Sequence, residues 1–361
     1  MDYEGRIEKL RAKLADAHTD ALLVTNLTNV CYLTGFSGSN GQVLVTESGA
    51  TFMSDPRYAA RAADLVEGAE VSIYKSRYTD VLGGLLNGID HLGFEAQHVT
   101  VAGLETLEQR LNGTHIVPTK NLVEGLRRSK EPEEVAALEA AIALSDDACM
   151  WALDRIAVGM TERELALDLE IRMRSQGAEA AAFDPIIASG PLSAHIHHSP
   201  SERAFERGDL VLMDFGASSK GYRSDLTRTV VLGTPTEEQR SLYELVLEVQ
   251  ATGIEAVSPG ASTLEVDATA RAIVEERGHG PEFGHPLGHG VGLDIHEAPR
   301  LGESSEEALA APSLIAGDVV TIEPGVYLRG TGGIRIEDCV LVTPTGHRVL
   351  GSAPKDELIS L

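Results

Sequence analysis

The chain has 361 residues, of which 43% are hydrophobic and 24% are charged, so its composition is that of a globular protein rather than a disordered or fibrous one. This length predicts two domains, or one large domain with an appendage. Asp and Glu number 55 against 30 Lys and Arg, which gives a formal net charge of −25. A surface this acidic repels phosphate backbones and anionic lipids, so we expect neither nucleic acid nor a membrane as a partner.

Cysteine usage and the N-terminus indicate a reducing compartment. Cys31, Cys149 and Cys339 are odd in number and far apart, so neither a disulfide framework nor a cysteine zinc site is expected. Residues 1–6 carry acid where a signal peptide carries base, and no window approaches the roughly 18 apolar residues of a membrane span. We therefore expect a cytoplasmic protein.

The first third of the chain alternates short apolar runs with helical stretches, which predicts a compact α/β unit with a mixed sheet. The predicted strands and then the predicted helices are 21–25, 30–33, 42–46 and 71–74, and 5–15, 57–67, 77–87 and 100–111. The glycine-rich segment 35–41 lacks the Lys-Ser/Thr of a P-loop and the spacing of GxGxxG. We predict a tight turn between two strands there instead of a nucleotide site.

Two helices follow this unit. Ser129 is the predicted cap of the first, because Pro132 falls in its first turn, and we expect this helix to run to about residue 156. Thr161 and Glu164 have the spacing of a capping box at the start of the second helix, which should end before residue 177.

Domain boundaries are predicted from this helix pair. The boundary just before the pair gives an N-terminal domain over 1–124 and a C-terminal domain over 125–361. Beyond residue 180 the pattern changes to antiparallel hairpins, with two further helices at about 236–256 and 263–277.

One predicted hairpin joins residues 210–216 to residues 222–227 and carries acids inside apolar strands, where they do not favour stability. If its turn is centred on Ser219 and Lys220, Asp214 lies directly opposite Asp225.

A second hairpin, of 319–325 with 333–338, repeats this arrangement. With its turn centred on Gly330, it places Glu323 opposite Glu337. The two carboxylates of each buried pair repel each other unless they share a proton or hold a cation.

Four converging carboxylates predict a site for a pair of divalent ions about 3.5–4 Å apart. A nitrogen ligand could come from His285 or His289, whose spacing resembles that of a zinc-binding helix. Pro286, Gly288 and Gly290 disfavour a helix, so we predict an irregular strand that approaches the site closely. The alternative is that the acids are edge residues or salt-bridge partners, but it requires two register-matched pairs to coincide.

Several short motifs resemble those of the pita-bread metallopeptidases, which include Xaa-Pro aminopeptidases, prolidases, methionine aminopeptidases and the metal-free creatinases. The motifs are MDFG at 213–216, SDLTRT at 224–229, GHGVG at 288–292, IEPG at 322–325 and RIED at 335–338. Residues 32–41 and Arg57–Tyr58 resemble the N-terminal domain of the same proteins. The resemblance implies an α+β chain with a C-terminal pita-bread (creatinase/aminopeptidase) fold and an N-terminal creatinase-like α/β domain.

Position by position, the resemblance implies five metal ligands. They are Asp214, Asp225, His289, Glu323 and Glu337. The implied cofactor is two divalent metal ions, with manganese as the first candidate and cobalt, zinc and iron as alternatives.

The resemblance also implies catalytic roles. His197 would line the substrate site, His285 would contact the substrate near the scissile bond, and His296 would hydrogen-bond its carbonyl. Taken alone, the histidines of 194–200 are more typical of a loop than of a ligand set. Glu323 would also carry the proton to the leaving nitrogen, and Arg335, two residues before a ligand, would brace the acidic cluster or the substrate.

The predicted activity is hydrolysis of the N-terminal Xaa-Pro bond of short peptides by a water that bridges the two ions. The partners are then short peptides with proline at the second position, and a homodimer is expected. Chain length, segment 35–41 and the tail at 354–358 favour an Xaa-Pro aminopeptidase over an Xaa-Pro dipeptidase with the same ligands. Because all five ligands are retained, a creatinase or a catalytically dead peptidase-fold binding protein is disfavoured, and the N-terminal domain disfavours a methionine aminopeptidase.

Overall fold

The computed structural model describes residues 1–111, 113–302 and 312–361. These residues form two compact units, Met1–Arg127 and Arg128–Leu361. No helix in the described ranges combines the length and the apolar character that crossing a membrane requires.

The first unit contains one six-stranded sheet flanked by helices. Its strands are β1 (Ala21–Val24), β2 (Gln42–Thr46), β3 (Gly49–Ser54), β4 (Glu70–Ile73), β5 (His91–Glu95) and β6 (His115–Thr119). Its helices are α1 (Tyr3–Arg11), α2 (Leu27–Thr34), α3 (Ala59–Leu65), α4 (Tyr78–Leu85), α5 (Val101–Arg110) and α6 (Glu124–Arg127). The strand order is β4-β3-β2-β1-β5-β6, with β1 antiparallel to β2 and parallel to β5, which confirms the predicted mixed sheet.

The predicted strand at 30–33 is wrong, because these residues belong to helix α2. Asn26 caps this helix by accepting a hydrogen bond from the Thr28 N–H at 3.0 Å, and Gly35 ends it in the left-handed region at φ 76°. A run of four apolar residues is too short for its period to distinguish a strand from a buried helix. Segment 35–41 therefore joins a helix to β2, not two strands, and β3, β5 and β6 were not predicted.

The second unit combines four long helices with small antiparallel sheets. Its helices are α7 (Pro132–Leu153), α8 (Glu162–Ser175), α9 (Glu237–Glu255) and α10 (Thr263–Glu276). Its strands are β7 (Ala180–Ala181), β8 (Ile186–Ser189), β9 (Leu210–Phe215), β10 (Ala217–Ser219), β11 (Tyr222–Arg223), β12 (Leu226–Val231), β13 (Gly288–Gly290), β14 (Glu297–Leu301), β15 (Val319–Ile322), β16 (Gly325–Leu328), β17 (Gly332–Arg335), β18 (Asp338–Thr343) and β19 (Gly346–Val349).

These strands form sheets in the orders β11-β10-β7, β12-β9-β8, β14-β13-β15-β18-β19 and β16-β17. Apolar residues of α9 and α10 share one buried core with residues of β15 and β18, including Val246, Val320 and Val340. Burial of this core holds the acid-bearing strands from behind.

The start of α7 differs from the prediction. Glu131, not Ser129, is the cap, and it forms a capping box with Glu134, whose carboxylate accepts from the Glu131 N–H at 2.9 Å. Ser129 instead donates to the carbonyl of Ala316 at 3.0 Å. Pro132 occupies the first helical position, which leaves the residue immediately before it as the cap.

In the first hairpin, the predicted register is wrong, because the turn is centred one residue further along the chain than predicted. Asp214 pairs with Thr227, not with Asp225. The turn is centred on Lys220 and Gly221, which both have positive φ (51° and 80°), as a two-residue hairpin turn of the primed type requires. Asp225 is two residues from Thr227, so it still lies on the face of Asp214, in a diagonal position rather than directly opposite.

The register of the second hairpin is confirmed. β15 pairs with β18, and β16 with β17, in one common register whose centre is Gly330. Glu323 and Glu337 occupy opposed positions in this register, in the gap between the two ladders. The interruption frees both side chains to face a cavity instead of a neighbouring strand.

Candidate metal centre and substrate cavity

One cavity of about 380 Å³ lies in the second unit. Its lining includes every residue that the sequence analysis assigned to the site, namely His197, Asp214, Asp225, His285, His289, His296, Glu323, Arg335 and Glu337. Residues from the 190–200 segment, from both acid-bearing hairpins and from residues 285–296 therefore converge on one space.

Side chains with metal-binding atoms cluster at this cavity. One ligand atom each of Asp225, His289 and Glu337 lies within 4.8 Å of the others. The Nε2 atom of His289 is 3.3 Å from a carboxylate oxygen of Glu323 and 3.7 Å from one of Asp225. The Nδ1 atom of the same ring lies 3.0 Å from the carbonyl of Gly290, which can only accept, so Nδ1 carries the proton and Nε2 offers its lone pair.

Burial dominates the electrostatics of the cluster. Burial, helped by repulsion from neighbouring carboxylates, raises the pKa of Asp225 and of Glu337 well above the ordinary values. Burial also raises the pKa of Glu323 to about 7 and lowers the pKa of His289 to about 4. The metal-free cluster is therefore partly protonated near neutral pH, with a neutral imidazole.

The donor set fits divalent metal ions. Within the described part of the chain, one carboxylate oxygen of Asp214 and one of Glu337 are buried without a hydrogen-bond partner. Such atoms are costly unless a cation or a proton satisfies them. Carboxylate oxygens with one imidazole nitrogen suit manganese, iron, cobalt and zinc.

Two threonines that the sequence analysis missed orient the acids. Thr227 donates to Glu337 at 2.7 Å, and Thr321 donates to Glu323 at 3.0 Å. Along the chain, Thr227 is two residues from Asp225 and Thr321 is two residues from Glu323. In extended chain, residues at this spacing point to the same face, so each threonine lies on the face of an acid. That spacing of two was a signal available in the sequence.

Arg335 makes the bracing contact that its position predicted. It donates to Asp214, to the hydroxyl of Thr227 at 3.1 Å and to the hydroxyl of Tyr327 at 2.8 Å. Burial opposes its charge, but Tyr327 and the carboxylate of Asp214 keep the pKa of Arg335 well above its usual value. A permanent positive charge thus offsets part of the buried negative charge.

His285 lines the cavity with both ring nitrogens engaged. Its Nδ1 atom is 2.8 Å from the carbonyl of Pro286, and its Nε2 atom is 2.9 Å from the hydroxyl of Tyr327. Burial lowers the pKa of His285 to about 3, so this ring is neutral. A hydrogen bond from His285 to a substrate would have to replace one of these two contacts.

The two remaining histidines approach the cluster from other elements. The ring of His296 stands edge-on to that of His289, with centroids 4.3 Å apart. His197 belongs to the segment that follows the 3-10 turn Gly190–Ala194, and it lies close enough to interact electrostatically with Glu323.

The cavity also has lining residues that the sequence analysis did not predict. Phe183, Ile186 and Ile295 supply apolar surface, and Arg300 supplies a cation. Arg300 pairs with His289 in the register of β13 with β14. Nothing in the spacing of the sequence distinguishes these residues from ordinary core and surface residues.

Comparison with known proteins places this architecture. The sequence matches metallopeptidase family M24 over residues 136–344 and the creatinase/prolidase N-terminal domain over residues 6–129. An Xaa-Pro dipeptidase of Pyrococcus furiosus is 37% identical over 98% of this chain and 99% of the relative.

Solved structures agree closely with the fold. The Xaa-Pro dipeptidase from Bacillus anthracis has a TM-score of 0.95 and 38% identity, over 99% of this chain and 100% of that one. The X-Pro aminopeptidase from Thermotoga maritima has a TM-score of 0.89 and 33% identity, over 99% and 100%.

The fold and the carboxylate-rich cavity are those of a pita-bread metallopeptidase with a creatinase-like N-terminal domain. The chain belongs to metallopeptidase family M24, and membership of this family implies divalent metal ions.

Proposed function

We propose that this chain is a metal-dependent exopeptidase that hydrolyses Xaa-Pro bonds and prefers dipeptides. The observation that carries the proposal is a cavity of about 380 Å³ in which a carboxylate and imidazole ligand set and the cation of Arg300 line the same space. The names of the relatives support it, since most of the named ones are Xaa-Pro dipeptidases or prolidases. The sequence analysis favoured the aminopeptidase, whereas these relatives favour its alternative.

Arg300 supports the preference for dipeptides. A dipeptide ends in a carboxylate one residue after the scissile bond, whereas a longer peptide has a neutral amide there. A guanidinium in the cavity binds a carboxylate in a fixed, often bidentate geometry. Apolar residues such as Phe183 and Ile186 would bind the prolyl ring.

The proposed metal site comprises Asp214, Asp225, His289, Glu323 and Glu337. Divalent ions held there would lower the pKa of a water molecule and would neutralise charge on the attacked carbonyl. The neutral ring of His289 suits a ligand, because an imidazolium has no lone pair to offer.

Other side chains would handle protons and position the substrate. Glu323 would take up a proton from the attacking water and deliver it to the leaving prolyl nitrogen. His296 would donate a hydrogen bond to the carbonyl oxygen, and His197 and His285 would bind the peptide beside it. Arg335 would keep the orientation of Asp214 fixed.

Three further features belong to this proposal. We infer manganese as the physiological metal and a homodimer as the assembly on the basis of the family resemblance. We infer the cytoplasm as the location on the basis of the cysteine usage. Metal analysis of the purified protein and its mass in solution test the first two.

The Xaa-Pro aminopeptidase remains the second candidate because of the Thermotoga maritima relative. Purified enzyme with manganese should be offered Ala-Pro, Ala-Pro-Ala and Ala-Ala. We expect the highest kcat/KM for Ala-Pro, and Arg300→Met should raise KM for Ala-Pro more than for Ala-Pro-Ala. Faster cleavage of Ala-Pro-Ala would favour the aminopeptidase, and no cleavage with no bound metal would favour a dead scaffold.

A further inference from the structure

Glu162 is the first residue of α8 and is buried. The sequence analysis did not assign it to the metal site. Its side chain is fully inaccessible to solvent, and its carboxylate accepts five hydrogen bonds. The N–H and hydroxyl of Ser189 donate to one oxygen at 2.8 and 2.7 Å. The other oxygen accepts from the N–H and hydroxyl of Ser201, at 3.0 and 2.7 Å, and from Nε2 of His198 at 2.7 Å.

This environment keeps Glu162 ionised. Burial works against the charge, but the hydrogen bonds from Ser201, His198 and Ser189 hold the pKa of Glu162 below its ordinary value. Its position in the first turn of α8 adds the favourable end of the helix dipole. Because this buried carboxylate accepts five hydrogen bonds, it holds the groups that donate them in one geometry.

The partners of Glu162 bracket the chain segment that reaches the cavity. Ser189 ends β8 and Ser201 follows the segment, so one carboxylate ties both ends of residues 190–200. Between these ends lie Ile196 and His197, which line the cavity, and His198, which bonds to Glu162 itself.

The middle of the segment is tied to the strand that leads to Arg335. The hydroxyl of Ser193 donates to the carbonyl of Gly190 at 2.6 Å and accepts from the N–H of Gly333 at 2.8 Å. The segment is thus fixed at Ser189, Ser193 and Ser201. None of these hydrogen bonds involves residues 194–197. Beside His197, the ring of His198 bonds to Glu162, and the N–H of His198 donates to the carbonyl of His195 at 3.2 Å.

We propose that Glu162 is a positioning residue that holds the 190–200 segment so that His197 meets the substrate. This inference rests on the proposed function, because it requires His197 to bind the peptide. Glu162 would not touch the substrate or the metal, and its effect on the reaction would pass through His197.

The test is a double-mutant cycle with Ala-Pro as substrate and manganese as metal. Glu162→Gln replaces one carboxylate oxygen by an NH₂ group that would face at least two donors, so the segment should shift. We expect kcat/KM to fall by about 10- to 100-fold in the wild-type background, since displacements near 1 Å can cost about that much. In the His197→Ala background the same change should cost less than about twofold.

Glu164→Gln is the matched control, because it lies two residues away in the same first turn of α8 and forms the capping box with Thr161, where Gln serves as well as Glu. This control should change neither kcat/KM nor the exchange of amide hydrogens in residues 190–200. Glu162→Gln should speed that exchange in metal-free protein and leave metal stoichiometry unchanged. If Glu162→Gln does not fold, Ser201→Ala removes one of the five bonds and enters the same cycle.

Equal losses of kcat/KM in both backgrounds, or no loss in either, would overturn the proposal. Wild-type protein that cleaves no Xaa-Pro peptide would overturn the proposed function instead. The exchange measurement does not depend on activity: unchanged exchange at 190–200 in Glu162→Gln would by itself reject the positioning role.

Discussion

Single side chains in the cavity are used in different ways, although several are of the same type. His289 is held with a lone pair on Nε2, His285 has both ring nitrogens engaged, and His296 is fixed edge-on beside His289. The hydrogen bond on the second nitrogen determines what the first can do. This distinction depends on backbone carbonyls and on Tyr327, so the sequence motifs alone could not have revealed it.

His296→Ala is predicted to lower turnover far more than metal content. The lost hydrogen bond to the developing charge should cost on the order of 100-fold or more in kcat. His289→Ala should instead release metal, because it removes the proposed nitrogen ligand. Metal analysis alongside kcat distinguishes the two variants, and an emptied site in His296→Ala with a full site in His289→Ala would reverse both assignments.

The elements show where sequence reasoning works and where it fails. The register of β15 with β18 was predictable, because Gly330 marks the turn and the same register holds on both sides of the gap between the two ladders. The first hairpin was misregistered, because the Lys220–Gly221 turn needs two positive φ values and a lysine is not a usual signal for one. The error moved Asp225 by two positions but not to the other face, so the predicted convergence of the acids survived.

Close backbone approach is a second constraint at this scale. A Cβ atom on Gly288 would lie 1.9 Å from the carbonyl oxygen of Thr321, so β13 can pass β15 this closely only with glycine there. The next residue is His289, and its N–H donates to the hydroxyl of Thr321 at 3.0 Å.

Gly288→Ala is therefore predicted to destabilise the protein by about 1–3 kcal/mol, as overpacking does, and to weaken metal binding. The control is Gly346→Ala in β19, where an added Cβ meets nothing within 4 Å. Thermal unfolding and metal titration of both variants check this. Wild-type metal affinity in Gly288→Ala would show that the approach of β13 does not position His289.

For the whole molecule, the buried acids make stability depend on pH and on metal. In the metal-free protein the carboxyls of Asp225, Glu323 and Glu337 have raised pKa values, mainly because of burial. The folded chain therefore holds protons that the unfolded chain has already released. The contribution of these three carboxyls to stability is therefore greatest below their ordinary pKa values of 3.8 and 4.5. It decreases as pH rises towards about 7.

We accordingly predict that the Tm of chelator-treated protein falls between pH 5 and pH 7 and that added manganese restores it, more strongly at pH 7. Glu323→Gln should flatten the fall, because it removes the group that titrates near pH 7. Thermal unfolding across this range measures both effects. A wild-type slope in Glu323→Gln would assign the pH dependence to other groups.

At the same scale, the sequence could give the family and its chemistry but not the peptide length that the enzyme prefers. The family resemblance implies the same ligand set for dipeptidases and aminopeptidases, whereas the discrimination proposed here depends on Arg300 and on the size of one cavity. A lone arginine in a five-residue strand is not a motif. Its importance appears only when β14 is placed beside β13.

The gap between the two ladders of the second hairpin has a practical consequence. Glu323 and Glu337 keep their opposed positions through β15 and β18 on one side and through β16 and β17 on the other. The loop at Gly330 is exposed and the space around it is open, although the φ of 84° favours glycine at that one position. An insertion at this tip would lie about one short strand from the acids and would leave Glu323 and Glu337 in their opposed positions.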